Sequence, residues 1–504
     1  MTLVETLTTS PAFSAVVILT LLSLLPRIWS YVTGFYALPS IPCVGLEGGT
    51  GFSSFWKAKK RFVLDAKSLL VEGYQKYGRG GGVFKLWTPN GFGVAVAPGL
   101  VSEIKNAPGS VLDFHNSVID HIAGKYTGLQ HLPILAKCIR QDLTRNHGRK
   151  LPIMAIEAEY AFSTHFGQEW TSFQLHPKVL QIVATISSCV FIGTPRNRDP
   201  EWLNVAVMFT VDVFNGSRTL RSLPLPKFLY PVTARFIPQI RRTHLHRAAA
   251  QKIISPIVQA RLEGTEEPGD DMLQWIMDSS HTAEGKHPHM IARHVLQISL
   301  VSIHTTALTL TKVLFDLACR QEYMQPLREE AEKVLEEEGG VFTLQAVRKL
   351  DLFDSFVKES QRLSPAGQVA MLRRVVSPDG FTFSTGAHLP YGSTILGVTT
   401  AAASMDPEIF ENPNEFDGYR FQRLRSGEDW NKYTFSSTET LHWGIGKYAC
   451  PGRFFASSEI KLLLASIVLK YDVRTKDGQR PKDICWELSM SPDPTASIEF
   501  RKRR

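Results

Sequence analysis

The stretch HWGIGKYACPGRFFA, residues 442–456, carries one cysteine, Cys450, inside a glycine-rich run. No partner for a disulfide or a metal cluster lies nearby. The six cysteines, Cys43, Cys138, Cys189, Cys319, Cys450 and Cys485, are scattered, and none forms a CxxC or other metal spacing. Pro451 suits the first turn of a helix. The apolar residues that follow, from Phe454 and Phe455 through Ile460 and Leu462–Leu464 to Leu469, cover most of a helix surface and predict a buried helix. A cysteine at such a helix start meets free N–H groups and the positive end of the dipole, which favour its thiolate. Gly444, Gly446 and Gly452 remove side chains where backbone must pass close to a flat or bulky object. A lone cysteine is most often an inert packing residue. This context instead suits a ligand for a metal that arrives inside a large planar cofactor, and haem iron held by one thiolate is that arrangement.

Other residues with chemical potential lie upstream. In DSFVKESQRLSP, Glu359 and Arg362 share one helix face. Ser364 and Pro365 end that helix. Taken alone, such a pair is equally well a surface bridge of little worth. In VSIHTTALTLTKVLFDLA most positions read as core, but Thr305 and Thr306 carry hydroxyls that can turn onto a preceding carbonyl and loosen the turn. His304 precedes them. Arg373 and Arg374 adjoin in the strand-like MLRRVV.

In this order the motifs resemble the cytochrome P-450 family. WGIGKYACPGRFFA is similar to that family's haem-binding loop, Phe-Gly-x-Gly-x-(Arg or His)-x-Cys-x-Gly, with Trp443, Gly444, Gly446, Cys450 and Gly452 matching in position. Two departures stand out. Trp443 replaces the Phe, and Tyr448 replaces the basic residue that meets a haem propionate, so a phenol brings one hydrogen bond and no charge. Glu359 and Arg362 match the family's Glu-x-x-Arg pair, and Arg420 in FDGYRF matches the downstream residue that this pair locks. A buried charge triad of this kind costs desolvation and serves specificity of the core more than stability. Thr305 matches the threonine of the family's Ala-Gly-x-(Asp or Glu)-Thr, with Ser302 in place of Gly and His304 in place of the acid. The local pattern is similar to a fungal branch that includes ent-kaurene oxidase and other terpenoid-pathway members. Arg373 matches a propionate-contacting position, although by charge alone Arg374 is an equal candidate. The usual upstream Trp-x-x-x-Arg is absent, leaving Lys125, Tyr126 and Arg140 as stand-ins.

The resemblance implies a monooxygenase with haem b, Cys450 as axial ligand and Thr305 guiding protons, with His304 either a proton relay or a packing residue. Its electrons would come from a separate NADPH–cytochrome P-450 reductase, with cytochrome b5 as a second donor, docking on the basic cysteine-side face. The substrate would be a lipophilic small molecule, by branch a terpenoid, meroterpenoid or indole-diterpene of fungal secondary metabolism. Two rivals remain at this stage. One is a haem-thiolate isomerase that needs no O2, and the other is a catalytically silent haem- or lipid-binding protein.

The elements that must position these residues are mostly helical. The 504 residues are 43% hydrophobic and 21% charged, enough apolar material for a large core. Apolar periodicity predicts helices over 151–166, 177–191, 289–318 and 324–338, with strand-like pieces near residue 85 and near residue 380. The expected fold class is mainly α with small β-sheets (α+β), in the P-450 fold, as a monomer. The net charge of +8 is spread along the chain, and no nucleic-acid motif accompanies it. Scattered cysteines fit a reducing compartment. At the N-terminus AFSAVVILTLLSLLPRIWSYV approaches the roughly 17–25 apolar residues of a membrane-spanning helix. It lacks the basic start and A-x-A site of a cleaved signal. Residues 1–35 therefore predict one transmembrane helix, and 36–504 a catalytic domain. Arg27, Lys57, Lys59, Lys60 and Arg61 put that domain on the cytosolic side, and the resemblance puts the anchor in the endoplasmic reticulum membrane. The proline-broken, basic and apolar segment 221–242 has the composition of one that dips into a membrane surface.

Overall fold

A computed structural model describes residues 19–20, 24, 38, 40–46, 52–223, 225, 227–424 and 432–504. The predicted N-terminal span lies almost wholly outside the described residues.

The apolar pattern from 289 onward forms a 32-residue helix, Pro288–Cys319. Pro288 takes its first position, and the His287 side chain accepts the N–H of His289. Among the described residues it is the one helix long and apolar enough to cross a membrane, yet 72% of its apolar window is buried against protein. A helix apolar on all sides needs cover on all sides. That cover comes from Leu175–Phe191, Pro200–Ser222, Pro238–Leu262, Asp351–Leu363 and Arg453–Lys470. The helices predicted from periodicity appear as Thr144–His165, Leu175–Phe191, Pro288–Cys319 and Met324–Glu337.

Strands gather into four small sheets among the described residues. The largest runs Cys43–Val44, Val83–Thr88, Gly91–Val96, Thr394–Val398, Arg373–Val375 and Leu112–Asp113. Both strand-like stretches of the sequence therefore meet in one sheet, since Gly91–Val96 pairs in parallel with Thr394–Val398. A second sheet joins Tyr471–Arg474, Ser497–Lys502 and Thr171–Gln174, and Asp483–Trp486 pairs with Ser489–Pro492 in a separate hairpin. The predicted class, helices with small sheets, is the observed one.

The segment 221–242 proves to be the connection between two long helices, Pro200–Ser222 and Pro238–Leu262. It carries short helical turns and leaves Phe228, Val232 and Phe236 exposed.

Candidate active site

Cys450 lies three residues before the helix Arg453–Lys470, whose capping residue is Gly452. The sequence reading put it at the helix start, with Pro451 in the first turn, and the helix begins two residues later than that. The thiol faces the helix start all the same. Burial pushes the Cys450 thiol up from its ordinary value, while the N–H groups of Gly452 and Arg453 and the Arg453 guanidinium pull it down. A metal replacing the proton removes that burial cost. Gly444 and Gly446 both have positive φ, +65° and +77°, so the loop needs glycine there. At Gly446 an added Cβ would fall 2.5 Å from the Lys105 side chain. Gly452 differs. Its φ is −87°, and the nearest atom to an added Cβ is 3.9 Å away. The chain itself leaves that space open, which suits the face of a large cofactor.

A relay of hydrogen bonds sets the height of the loop. Asp354, on the helix Asp351–Leu363, accepts the backbone N–H of Tyr433 at 2.6 Å and the Lys461 ammonium of the cysteine helix at 3.1 Å. The Tyr433 carbonyl then accepts Trp443 Nε1–H at 2.7 Å and lies 2.9 Å from His442 Nε2. The Trp443 carbonyl in turn accepts the N–H of Cys450 at 2.8 Å. Trp443 thus does work that a phenylalanine cannot, since only its indole N–H donates. Sequence reasoning missed Asp354, Tyr433 and Lys461.

The Glu359 triad braces the other side of the same helix. Arg362 donates to both Glu359 oxygens at 2.8 Å. Arg420 Nε reaches the same two oxygens at 3.1 and 3.2 Å, and the Asp417 N–H adds a bond at 3.0 Å. Arg362 and Glu359 side chains are fully buried. The remaining guanidinium N–H groups go to carbonyls of Ser404, Glu411, Pro413 and Glu415, so the triad staples segment 404–420 to the helix. This is no surface bridge.

A cavity of about 400 Å³ opens between these parts. Cys450, Trp443 and Gly444 line it on one side, and Phe114, Arg373 and Tyr448 on another. Arg373 is buried, and its guanidinium lies 4.8 Å from the Tyr448 ring centre and 5.2 Å from that of Phe114. It forms no ion pair among the described residues, and its buried Nε has no partner. Its one hydrogen bond goes to the Leu372 carbonyl. Burial holds the Arg373 guanidinium down to about 10. A buried cation left this way calls for an anion.

Arg374 points to the opposite face of the strand and pairs with Asp120 at the surface, at 2.6 Å. Alternation of side chains across a strand separates two arginines that charge alone could not. Lys125 and Tyr126 are not stand-ins at this cavity. Their short helix, Gly124–Thr127, directs them to a second cavity on the far side of that strand. Arg140 is exposed and sits near His115. His115 packs against His131, tilted by 33° at 3.6 Å between ring centres, and approaches the Tyr448 ring at 5.4 Å. Burial and its cationic neighbours keep this imidazole below its ordinary value.

The wall of this cavity includes neither Thr305 nor His304. Thr305 belongs to a stripe on the long helix with Arg293, Gln297 and Val301. Arg293 and Gln297 bond carbonyls at Gly128 and Gln130, while Val301 and Thr305 are exposed below that loop. The Thr305 hydroxyl donates to the Val301 carbonyl at 2.8 Å, with the Ser302 carbonyl at 3.2 Å. His304 turns the other way. Its Nε2 lies 3.0 Å from the Val207 carbonyl on the neighbouring helix, and burial pushes the imidazole down.

The donor set fits haem b. A thiol on open glycine backbone faces the space, and an uncompensated buried arginine, flanked by a phenol, meets the place of an acidic edge. Comparisons with known proteins agree. Residues 164–500 match the family model for cytochrome P-450. The chain is 33% identical over 479 residues to the cytochrome P-450 monooxygenase braC of Annulohypoxylon truncatum, covering 92% of this chain and 93% of that one. It is 32% identical over 477 residues to the ent-kaurene oxidase of Gibberella intermedia, covering 92% and 88%. The solved structure of retinoic acid-bound cyanobacterial CYP120A1 superposes with a TM-score of 0.65 at 17% identity, over 87% of this chain and 95% of that one, which establishes the fold. With loop, braces and matched span in agreement, the chain belongs to the cytochrome P-450 family of haem b-containing monooxygenases.

Proposed function

We propose that this protein oxidises a lipophilic small molecule of fungal secondary metabolism, of terpenoid, meroterpenoid or indole-diterpene class, with O2 and electrons from an NADPH-dependent reductase. The observation that carries the reading is the shared cavity, in which the Cys450 thiol and the uncompensated Arg373 guanidinium line one space. Overall, substrate, O2, NADPH and a proton give hydroxylated product, water and NADP+. Haem, when bound, supplies the O2-derived oxidant that acts on an unactivated C–H bond.

Cys450 Sγ would hold the cofactor iron, with its height fixed by the bond from its N–H to the Trp443 carbonyl. Arg373 and Tyr448 would hold the carboxylate groups of the cofactor, where an ion pair would end the isolation of the guanidinium. The Thr305 hydroxyl, which donates to the Val301 carbonyl, would turn from that carbonyl to a water and so hold a proton for the oxygen chemistry that haem would supply. His304 positions the helix through its hydrogen bond to the Val207 carbonyl and is not the proton relay, since that bond commits its Nε2 to the neighbouring helix. The Thr305 hydroxyl also argues against an isomerase, which has no proton to deliver to O2.

In reductase-coupled turnover, Thr305→Ala is expected to keep haem and substrate affinity while releasing hydrogen peroxide at the expense of product. His304→Gln, which can still donate to Val207, is expected to remain coupled. Equal peroxide leakage from both variants would make His304 a relay, and full coupling in Thr305→Ala would favour the isomerase. A protein that neither turns over substrate nor consumes NADPH would be a silent binder.

We place residues 1–35 in the endoplasmic reticulum membrane and the catalytic part, 36–504, in the cytosol. Phe228, Val232 and Phe236 give the catalytic part a second apolar contact with the bilayer surface. On fractionation, deletion of residues 1–30 is expected to shift part of the protein to the soluble fraction, and a further Phe228→Ser, Phe236→Ser change to shift most of it. A full-length chain found free of membranes contradicts this placement.

A further inference from the structure

A second cavity, of about 460 Å³, lies on the other face of the strand that carries Arg373. Leu372 and Arg374 line it while Arg373, between them, lines the cofactor cavity, so the two spaces share a wall. Its floor is apolar, formed by Phe62, Phe92, Leu396 and Leu488. Its charged groups are mostly cations: Arg221, Arg374, Lys125 and Lys227, against the carboxylates Asp120 and Glu487.

Both carboxylates are already engaged. Asp120 pairs with Arg374 at 2.6 Å, and Glu487 with Arg221 at 3.1 Å. Lys125 and Lys227 form no ion pair among the described residues. Arg221 is the deepest cation, with 11% of its side chain exposed, and its buried Nε has no hydrogen-bond partner. A guanidinium presents paired donors to a carboxylate, so a single-oxygen contact leaves most of its capacity unused. His121, in the same wall, is pushed down to about 4 by burial and by Arg221, and so adds no charge of its own. Lys227 is open to the cavity yet crowded by protein, and burial with Arg374 and Arg221 pushes its ammonium down. The Arg221–Glu487 bridge joins the end of the helix Pro200–Ser222 to the turn between Asp483–Trp486 and Ser489–Pro492. Glu487 itself sits in that turn at φ +50°.

We propose that this cavity receives the carboxylate of a lipophilic acid substrate, that Arg221 binds it, and that Glu487 is the competing carboxylate that keeps Arg221 oriented until the acid arrives. This deepens the proposed function and rests on it for the oxidation that follows. The apolar floor takes the hydrocarbon body. Lys227 and Lys125 compensate the charge of an acid held beside an existing carboxylate.

Equilibrium dialysis of the purified full-length holoenzyme with labelled decanoate and decanol tests this without relying on the haem spectrum. Decanoate is expected to bind about tenfold or more tightly than decanol, the scale of one charge-assisted pair. Arg221→Leu should erase that margin with decanol unchanged, and Glu487→Gln should widen it. Lys227→Gln should narrow it, and keeps the test open if Arg221→Leu does not fold. Equal binding of acid and alcohol overturns the proposal, as does a margin that neither Arg221→Leu nor Glu487→Gln moves. So does loss of capture by phosphatidylserine vesicles in Arg221→Leu with decanoate binding intact, which would assign the cations to the membrane surface. The reduced carbon monoxide spectrum of the same samples reports on Cys450 separately, so failure of the haem-thiolate reading is distinguishable from failure of this one.

Discussion

Glu359→Ala is expected to leave little haem-loaded protein. The change removes the carboxylate that receives two bonds from Arg362, two from Arg420 and one from the Asp417 N–H. It leaves two guanidiniums facing one another, the first fully buried and the second 8% exposed. Breaking a buried pair from one side costs about 3–5 kcal/mol, a large share of a domain's roughly 5–15 kcal/mol. The loss also spreads to the site. Segment 404–420 is stapled by this triad, and the same helix carries Asp354, which holds Tyr433 and through it the cysteine loop. Glu359→Gln keeps the shape and one acceptor, and should fall between wild type and alanine. The haem-to-protein ratio of purified samples and urea midpoints are the measurements. Normal haem content and an unmoved midpoint in Glu359→Ala would remove the triad from the support of the site.

The residues whose chemistry demands a type at a spacing were legible in the sequence. Cys450 between glycines before an apolar helix, and Glu359 with Arg362 on one face with Arg420 downstream, appear in the structure where their spacing put them. The long helices were legible for another reason, since a helix buried on all sides must be apolar on all sides, as Pro288–Cys319 is. The helices Pro200–Ser222 and Pro238–Leu262 were harder to see. The second mixes basic and small residues with little periodicity and contains Pro256. The choice between Arg373 and Arg374 depends on strand alternation, which is fixed only once the pairing partners are known. Tyr433 and the carbonyl of Trp443 stayed hidden because they act through backbone groups that every residue type possesses, and Asp354 because its carboxylate meets a backbone N–H 79 residues away. The assignment of Lys125 and Tyr126 to the cofactor failed for a simple geometric reason: proximity in charge pattern says nothing about which side of a strand a short helix faces.

Cys450→Ala is expected to produce the largest functional change, complete loss of turnover. No other described cysteine can substitute. Cys43, Cys138, Cys189, Cys319 and Cys485 do not line the cavity that Cys450 lines, and burial pushes the Cys138 and Cys189 thiols up. Cys450→Ser is the sharper variant. It keeps the N–H bond to Trp443 and nearly the same volume, so the loop should fold and haem should still enter beside Arg373 and Tyr448. An alcohol does not give up its proton as a thiol does, so the electron donation of a thiolate is lost. Stability should hardly change between wild type and serine, because Cys450 joins the Tyr433–Trp443–Cys450 chain of bonds through its backbone N–H.

The most direct test is the absorption spectrum of the reduced full-length protein with carbon monoxide, recorded for wild type and Cys450→Ser side by side. The wild type should show the red-shifted Soret band of thiolate-ligated haem. The serine variant should retain haem but show the unshifted band of a haem without a thiolate. A red-shifted band that persists in Cys450→Ser, or a wild type that never shows one, would contradict the assignment of Cys450 as the iron ligand.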